Sequence, residues 1–288
     1  MKIALLPNLT RTHALSVTEE VCAYLDTLKI SYAFEESLSA QLEGHFSAAA
    51  FLSVPTLLGW CDAVIAIGGD GSLIHAAKKA VLYKKPVLGV NAGNLAFMAG
   101  VEKNELHLLK NLMDGTYVID PRMMLEVRYQ AYGENTAPVQ TICLNDVVVA
   151  RGEQIKLINL DVFADGKRVN HYYSDGIILS TPTGSTAYSL SSGGPVVDPK
   201  IESILLTPIC THSLFARSLI FASDAEICVQ IPKDGEDIFL SCDGDPSVHL
   251  QPNSCLTVKK STNYADFIRI KNDSFIDVLN SKLSQRRA

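Results

Sequence analysis

The sequence has no run of five like charges, no CxxC pair, and no apolar stretch near the ~20 residues a membrane helix needs. With 25 basic against 31 acidic residues the net charge is −6, and nothing concentrates positive charge as a nucleic-acid surface requires. The longest apolar runs, such as Ala63–Ile67 and that within Asp146–Ala150, are strand-length, so no membrane partner is expected. Met1–Pro7 meets proline after four apolar residues, too soon for a secretory leader. Seven cysteines (Cys22, Cys61, Cys143, Cys210, Cys228, Cys242, Cys255) are odd in number and scattered singly. They read as reduced core thiols in a cytoplasmic protein. The seven histidines show no HExxH, so no metal-ligating residues are assigned. GxxxxGK(S/T), GxGxxG and GxSxG are all missing, which excludes a P-loop, the dinucleotide fingerprint and a serine-hydrolase elbow.

What is present is core-forming material. The chain has 288 residues, 47% of them hydrophobic, enough for two domains with substantial cores. In the first part strands alternate with helices. Ile3–Leu6 is followed by helical spacing over Ala14–Leu28, and Ala63–Ile67 by helical spacing over Leu73–Tyr83 and a second buried strand, Pro86–Val90. Strand, helix and strand at this spacing make a βαβ unit, hence an α/β domain with a parallel sheet. A short helix over Glu105–Met113 ends it. After Asp120-Pro121 come short β-rich runs: Met123–Tyr129, Val139–Ala150, Ile155–Ala164, Ile177–Ser180, Ala225–Val229, Ile238–Leu240 and Cys255–Val258. They predict an all-β, antiparallel, sandwich-like second domain. The tail, Phe275–Leu283, is helical in spacing and expected to pack back on the first domain. The expected domains are 1–119 with the tail 265–288, and 120–264.

Four segments could carry chemistry. In Ile65–Leu73, Gly68-Gly69-Asp70-Gly71-Ser72 joins a strand to a helix near Ser72. Glycines there let a ligand approach the backbone, and a helix start offers N–H groups to phosphate. A carboxylate in such a turn repels phosphate, so Asp70 is a general base, a ligand to a magnesium ion on the phosphates, or simply closes an Asx turn. His75, one turn further, could touch a phosphate or sit on the helix surface. Asn91–Phe97 follows a parallel strand and would face the same crevice as Asp70, or form a plain turn. Asn145-Asp146 could bind a ribose diol, or turn the chain. Lys156 could meet a phosphate or an adenine edge, or be solvated. Ser174–Tyr188 runs from a strand into small hydroxyl residues and a short helix capped by Ser185 or Thr186, with Tyr188 as a stacking face. Ser180–Pro195 also admits a flexible-linker reading.

Together and in this order, Gly68–Ser72, Asn91–Phe97, Asn145-Asp146 and Asp175–Tyr188, with Ser191–Pro195 behind it, resemble the NAD kinase family. Gly-Gly-Asp-Gly is shared with 6-phosphofructokinases and with diacylglycerol and sphingosine kinases; the Asp175–Tyr188 block is the specific part. The resemblance implies an α/β domain and a β-rich domain, and ATP-dependent phosphorylation of the adenosine-ribose 2′-hydroxyl of NAD to give NADP and ADP. It implies Asp70 as proton acceptor, Gly71 as a backbone contact, and Asn145 and Asp146 on the ribose. Asp175 and Thr186, Ala187, Tyr188, Ser189, Leu190 and Ser191 would line the adenine pocket, partly across the interface of a homodimer or homotetramer. With a carboxylate where a P-loop has lysine, a divalent ion, expected to be Mg²⁺, must neutralise the triphosphate. The chain departs from the family pattern in having Asp146 for glutamate, Asp245 after Asp243-Gly244 for glutamine, and Tyr173 where a basic or small residue is usual.

Overall fold

The computed structural model of the chain describes residues 1–46, 49–93, 96–133, 137–153, 156–212, 216–233 and 237–285. The chain divides into two compact units, Met1–Pro121 with Ala265–Ala288, and Arg122–Tyr264.

In the first unit, strands β1 (Lys2–Pro7), β2 (Ser31–Glu35), β3 (Ala50–Leu52), β4 (Ala63–Gly68) and β5 (Val87–Asn91) form a parallel sheet in the order β3-β2-β1-β4-β5. The short β6 (Val101–Glu102) lies parallel to β5. Every residue of β4 and β5 is buried, as continuous apolar runs in a parallel sheet require. Helix α1 (Ala14–Thr27) buries Val17, Val21 and Leu25 at one-turn spacing. Two short helices follow, α2 (Ser39–Leu42) and α3 (Val54–Trp60). Helix α4 (Asp70–Val81) buries Leu73, Ile74, Ala77 and Ala80. The expected helix over Glu105–Met113 is a 3₁₀ segment, Lys103–Leu109, running into α5 (Lys110–Asp114), which Gly115 ends at φ 65°.

The second unit contains two antiparallel sheets. β7 (Val118–Tyr129) enters it and pairs with β8 (Val139–Cys143). β9 (Asp146–Arg151), β12 (Gly176–Ser180), β13 (Ser203–Ile209), β14 (Leu219–Ala222), β16 (Ile238–Cys242) and β17 (Val248–His249) form one sheet in the order β14-β13-β12-β9-β16-β17. β10 (Ile158–Ala164), β11 (Lys167–Ser174), β15 (Ile227–Gln230) and β18 (Cys255–Arg269) belong to the other, together with β7 and β8. Their inward side chains, among them Leu125, Val147, Leu160, Ile177, Leu206, Val229 and Leu256, make one core, the sandwich the alternation predicts. β18 then runs back into the first unit, where Phe267 pairs with Val87 and Ile268 joins the core. The tail helix α7 (Phe275–Gln285) belongs to that unit as well.

Several expectations change. The run Val139–Ala150 is two strands in different sheets, because the chain turns at Leu144-Asn145. Ile155 lies outside the described residues, and the strand expected there begins at Ile158. Ser180–Pro195 is no linker: Thr183–Thr186 is a 3₁₀ turn, Tyr188–Ser191 the short helix α6, and Thr181, Thr183, Ser185 and Ser189 are buried. The cysteines are not uniformly core thiols. Cys210 is exposed, and the sulfurs of Cys228 and Cys255, on paired strands β15 and β18, lie within bonding distance.

Candidate functional site

The first unit places Asp70 at the carboxyl end of the sheet. Gly68 ends β4, Gly69 is the extended residue before the helix, and α4 starts at Asp70 itself, two residues earlier than expected. Ser72 therefore does not cap the helix; its Oγ accepts a hydrogen bond from Asn8 Nδ2 at 3.0 Å, tying the loop after β1 to the helix start. The half-buried Asp70 carboxylate accepts two backbone hydrogen bonds, from Phe97 N–H at 2.8 Å and Met98 N–H at 2.9 Å. The Asn91–Phe97 segment and Asp70 are thus brought together, with Asn94 and Leu95 outside the described residues. The two bonds orient the carboxylate. At the base of the same loop the buried Asn91 donates to Glu102 at 2.7 Å and accepts from Gly93 N–H at 2.9 Å. His75 is exposed on α4.

The second unit builds a corner where the chain leaves β8 and enters β9. Changing sheets strips the corner's amides and carbonyls of ladder partners, and buried peptide groups need replacements. Asp243 supplies the acceptors: its carboxylate takes the N–H groups of Leu144 at 2.8 Å, Asn145 at 2.7 Å and Asp146 at 3.1 Å. Thr181 supplies donors, its Oγ1 to Leu144 C=O at 2.6 Å and its N–H to Asn145 C=O at 2.9 Å. Gly184 lies against the corner so closely that a Cβ there would sit 2.1 Å from the Asn145 carbonyl oxygen. Asn145 and Asp146 are both buried, and Asn145 Oδ1 has no hydrogen-bond donor. Burial first, and the charge of Asp243 second, push Asp146 up to about 7, against a hydrogen bond from Tyr188 N–H that favours its charged form.

That last bond brings the start of α6 to Asp146. Of Thr186–Ser191, Ser189 is buried with its hydroxyl 2.9 Å from that of Thr207, while Tyr188 and Ser191 are exposed; Thr186, Ala187 and Leu190 are half-buried. The residue before α6 is Ala187, with no side-chain cap, so neither Ser185 nor Thr186 plays that part. Ser185 instead takes the N–H of Val197 at 3.1 Å. Asp175 is not gathered with this group. Register places Ser180 opposite Asp146 and Gly176 opposite Ala150, so Asp175 lies past the far end of β12, roughly 15 Å away at strand rise. There it pairs with Arg151 at 2.6 Å. Lys156 is exposed just before β10. Tyr173 is also exposed, edge-on to His212. Among the described residues no cluster of three His, Cys, Asp or Glu is placed to hold a metal ion, and no helix is long and apolar enough to cross a membrane.

Comparison with known sequences matches residues 3–117 to the ATP-NAD kinase N-terminal domain and residues 144–270 to the ATP-NAD kinase C-terminal domain. The chain belongs to the ATP-NAD kinase family. An NAD kinase of Thermoanaerobacter sp. (strain X514) is 33% identical over 287 residues, covering 99% of each chain. One of Chlorobium luteolum is 36% identical over 286 residues, covering 98% of this chain and 96% of the relative. In fold the chain is similar to yeast NADH kinase complexed with NADH (TM-score 0.90, 24% identity, 100% of this chain and 89% of that one). It is also similar to an Archaeoglobus fulgidus NAD kinase in complex with ATP (TM-score 0.73, 23% identity, 99% of each chain).

Three parts of this ATP-NAD kinase's candidate site escape motif reading. In the sequence Asp243 stands only as the start of a varied tripeptide, although an Asp-Gly pair after an apolar run does mark a tight turn. Its positive φ of 56°, followed by Gly244 at 76°, aims the carboxylate back at the corner. Thr181 and Gly184 lie inside the Ser174–Tyr188 segment, but nothing local tells that they pack on residues about 37 positions earlier.

Proposed function

We propose that the chain transfers the terminal phosphoryl group of ATP to the 2′-hydroxyl of the adenosine ribose of NAD, forming NADP and ADP. The observation that carries this reading is the corner. Asn145 Oδ1, buried and without a donor, stands next in the chain to the Asp146 carboxylate, and two such acceptors suit the two O–H donors of a ribose diol. Residues 120–264 are then the NAD-binding domain, and residues 1–119 with 265–288 the phosphate-binding domain. The opening N–H groups of α4, Gly71 among them, receive phosphate oxygens, with exposed His75 and Lys156 as further contacts. Asp70, aimed by Phe97 and Met98, accepts the 2′-hydroxyl proton as the oxygen attacks phosphorus. A divalent ion, Mg²⁺, enters with ATP as part of the substrate and offsets the triphosphate charge.

Thr186–Ser191 and Asp175 line the adenine pocket. They stand past opposite ends of β12, farther apart than one purine reaches, so the two contributions come from different copies of a homodimer or homotetramer. The exposed apolar edge strand β14, with Ile220 55% exposed, suits an assembly of copies. The compartment proposed is the cytoplasm, where the thiols of Cys22, Cys61 and Cys242 stay reduced. The test is a coupled assay with purified protein, NAD, ATP and Mg²⁺, reading NADP with an NADP-specific dehydrogenase. NADP formation that stops on adding a chelator is expected. No NADP under any of these conditions would overturn the reading.

A further inference from the structure

We infer that Asp243 is the positioning residue of the NAD-binding corner: by holding the amides of Leu144, Asn145 and Asp146 where the chain changes sheets, it fixes the two acceptors that meet the ribose diol. This rests on the reading of Asn145 and Asp146 given above. Closing the tight turn after β16 needs one return hydrogen bond, and Asp245 N–H provides it to Cys242 C=O at 3.0 Å, while Asp243 N–H continues the ladder to Asp146 C=O at 2.9 Å. The carboxylate goes further and gathers three amides from a segment about 98 residues earlier. Hydrogen bonds to an ionised acceptor are the strong kind, so the corner is held as one rigid piece. Rigidity matters because an Asn145 Oδ1 or Asp146 carboxylate displaced by about an ångström no longer reaches its hydroxyl.

The arrangement carries an electrostatic penalty, because it sets a charge beside the buried Asp146. A neutral amide at position 243 would spare Asp146 the neighbouring charge but would offer one acceptor oxygen and an N–H, leaving one of the three corner amides facing a donor. The titratable side chains on the elements packed around Asp146 are Cys143 in β8, Cys242 at the end of β16, Asp243 and Asp245 in its turn, and Tyr188 in α6. Of these, the charge that bears on Asp146 is that of Asp243. Position 243 therefore sets both where the Asp146 oxygens lie and the pH at which they become full acceptors.

The experiment is the pH profile of kcat/KM for NAD in the wild type and in Asp243→Asn, with kcat and KM separated. In the wild type the profile rises with pH through about 7 as Asp146 ionises. In Asp243→Asn the amide turns an N–H toward one of the three corner amides, and KM for NAD increases roughly 10- to 100-fold, with kcat and the KM for ATP little changed. The rising limb moves to lower pH, because the neighbouring charge is gone. A limb that stays in place, a KM for NAD left near the wild-type value, or a loss confined to kcat overturns the inference. Should the variant fail to fold, amide hydrogen exchange on the full-length wild type decides. Protection at Leu144, Asn145 and Asp146 without NAD is expected, and free exchange there overturns it. A wild type that makes no NADP would remove the kinase reading instead, and the exchange result would still judge Asp243.

Discussion

In the α/β unit the key carboxylate, Asp70, stands at the head of a helix that directly continues the strand carrying it, and it steadies one loop through two amides. In the β unit Asp243 steadies a corner through three amides, but the corner, its covering segment at Thr181–Tyr188 and Asp243 itself come from three distant stretches. The first construction is local and half open to solvent; the second is long-range and buried. The carboxylate at the helix start is half-buried, with a side open to solvent. One enclosed by amides becomes scaffold, and the charge it brings falls on its neighbour Asp146. On the proposed reading, one unit spends its acid on reactivity and the other on shape.

Substitutions can break this contrast. The largest effect is expected from Asp70→Asn, which should lower kcat by roughly 10²- to 10⁴-fold, the usual worth of a general base, while calorimetry still shows NAD binding. Turnover near the wild-type rate would remove Asp70 from the chemistry and leave both acids as scaffold. Next is Gly184→Ala. The new Cβ would press on the Asn145 carbonyl from 2.1 Å, so thermal unfolding should report a loss of about 3 kcal/mol, the upper range for overpacking, together with weakened NAD binding. An unchanged Tm would show that the corner yields, contrary to the rigidity assigned to it.

The buried acid gives a pH test. In the folded state Asp146 holds its proton up to about 7, whereas in the unfolded chain it ionises near its ordinary 3.8, so the wild type loses stability as pH rises between those values. Asp146→Asn cannot ionise. Its advantage over the wild type should be near zero at pH 4 and grow to on the order of 3 kcal/mol above pH 7, read as the difference in denaturant unfolding at the two pH values. A constant difference would mean Asp146 is not desolvated. The smallest effect is expected for Asp146→Ala in turnover: KM for NAD should rise by about tenfold with kcat nearly unchanged, because the ribose is held alike in ground and transition states. A fall in kcat alone would move Asp146 from binding to chemistry.

The same contrast explains what could be read in the sequence. β4, α4 and β5 were legible because a parallel strand buried on both faces is a continuous apolar run, and the glycines and Asp70 follow it without interruption. Ser31–Glu35 and Ala50–Leu52 were not, being short edge-side strands with little apolar contrast. Ser203–Ile209 was hidden by Pro208, which argues against a central strand; it falls past Leu206, the last residue paired with β14, so only its β12 side is bonded there. Asn145-Asp146 stood out as a polar pair beside a β-run, but its burial and its holder are products of sheet switching, which alternation within one run cannot register. Asp175 neighbours the hydroxyl-rich segment in sequence, but register places it past the other end of the strand.

The strand β18 has a further consequence, for the order of events during synthesis. Residues 122–264 are contiguous and leave the ribosome complete, while the α/β unit waits for residues 265–288, which bring Phe267 to the side of Val87 and Ile268 into its core. The portion made first is thus the one finished last, and until then β5 exposes the backbone groups that Phe267 will cover. A nascent chain halted before residue 265 leaves that flank open, where a chaperone or another growing chain can bind.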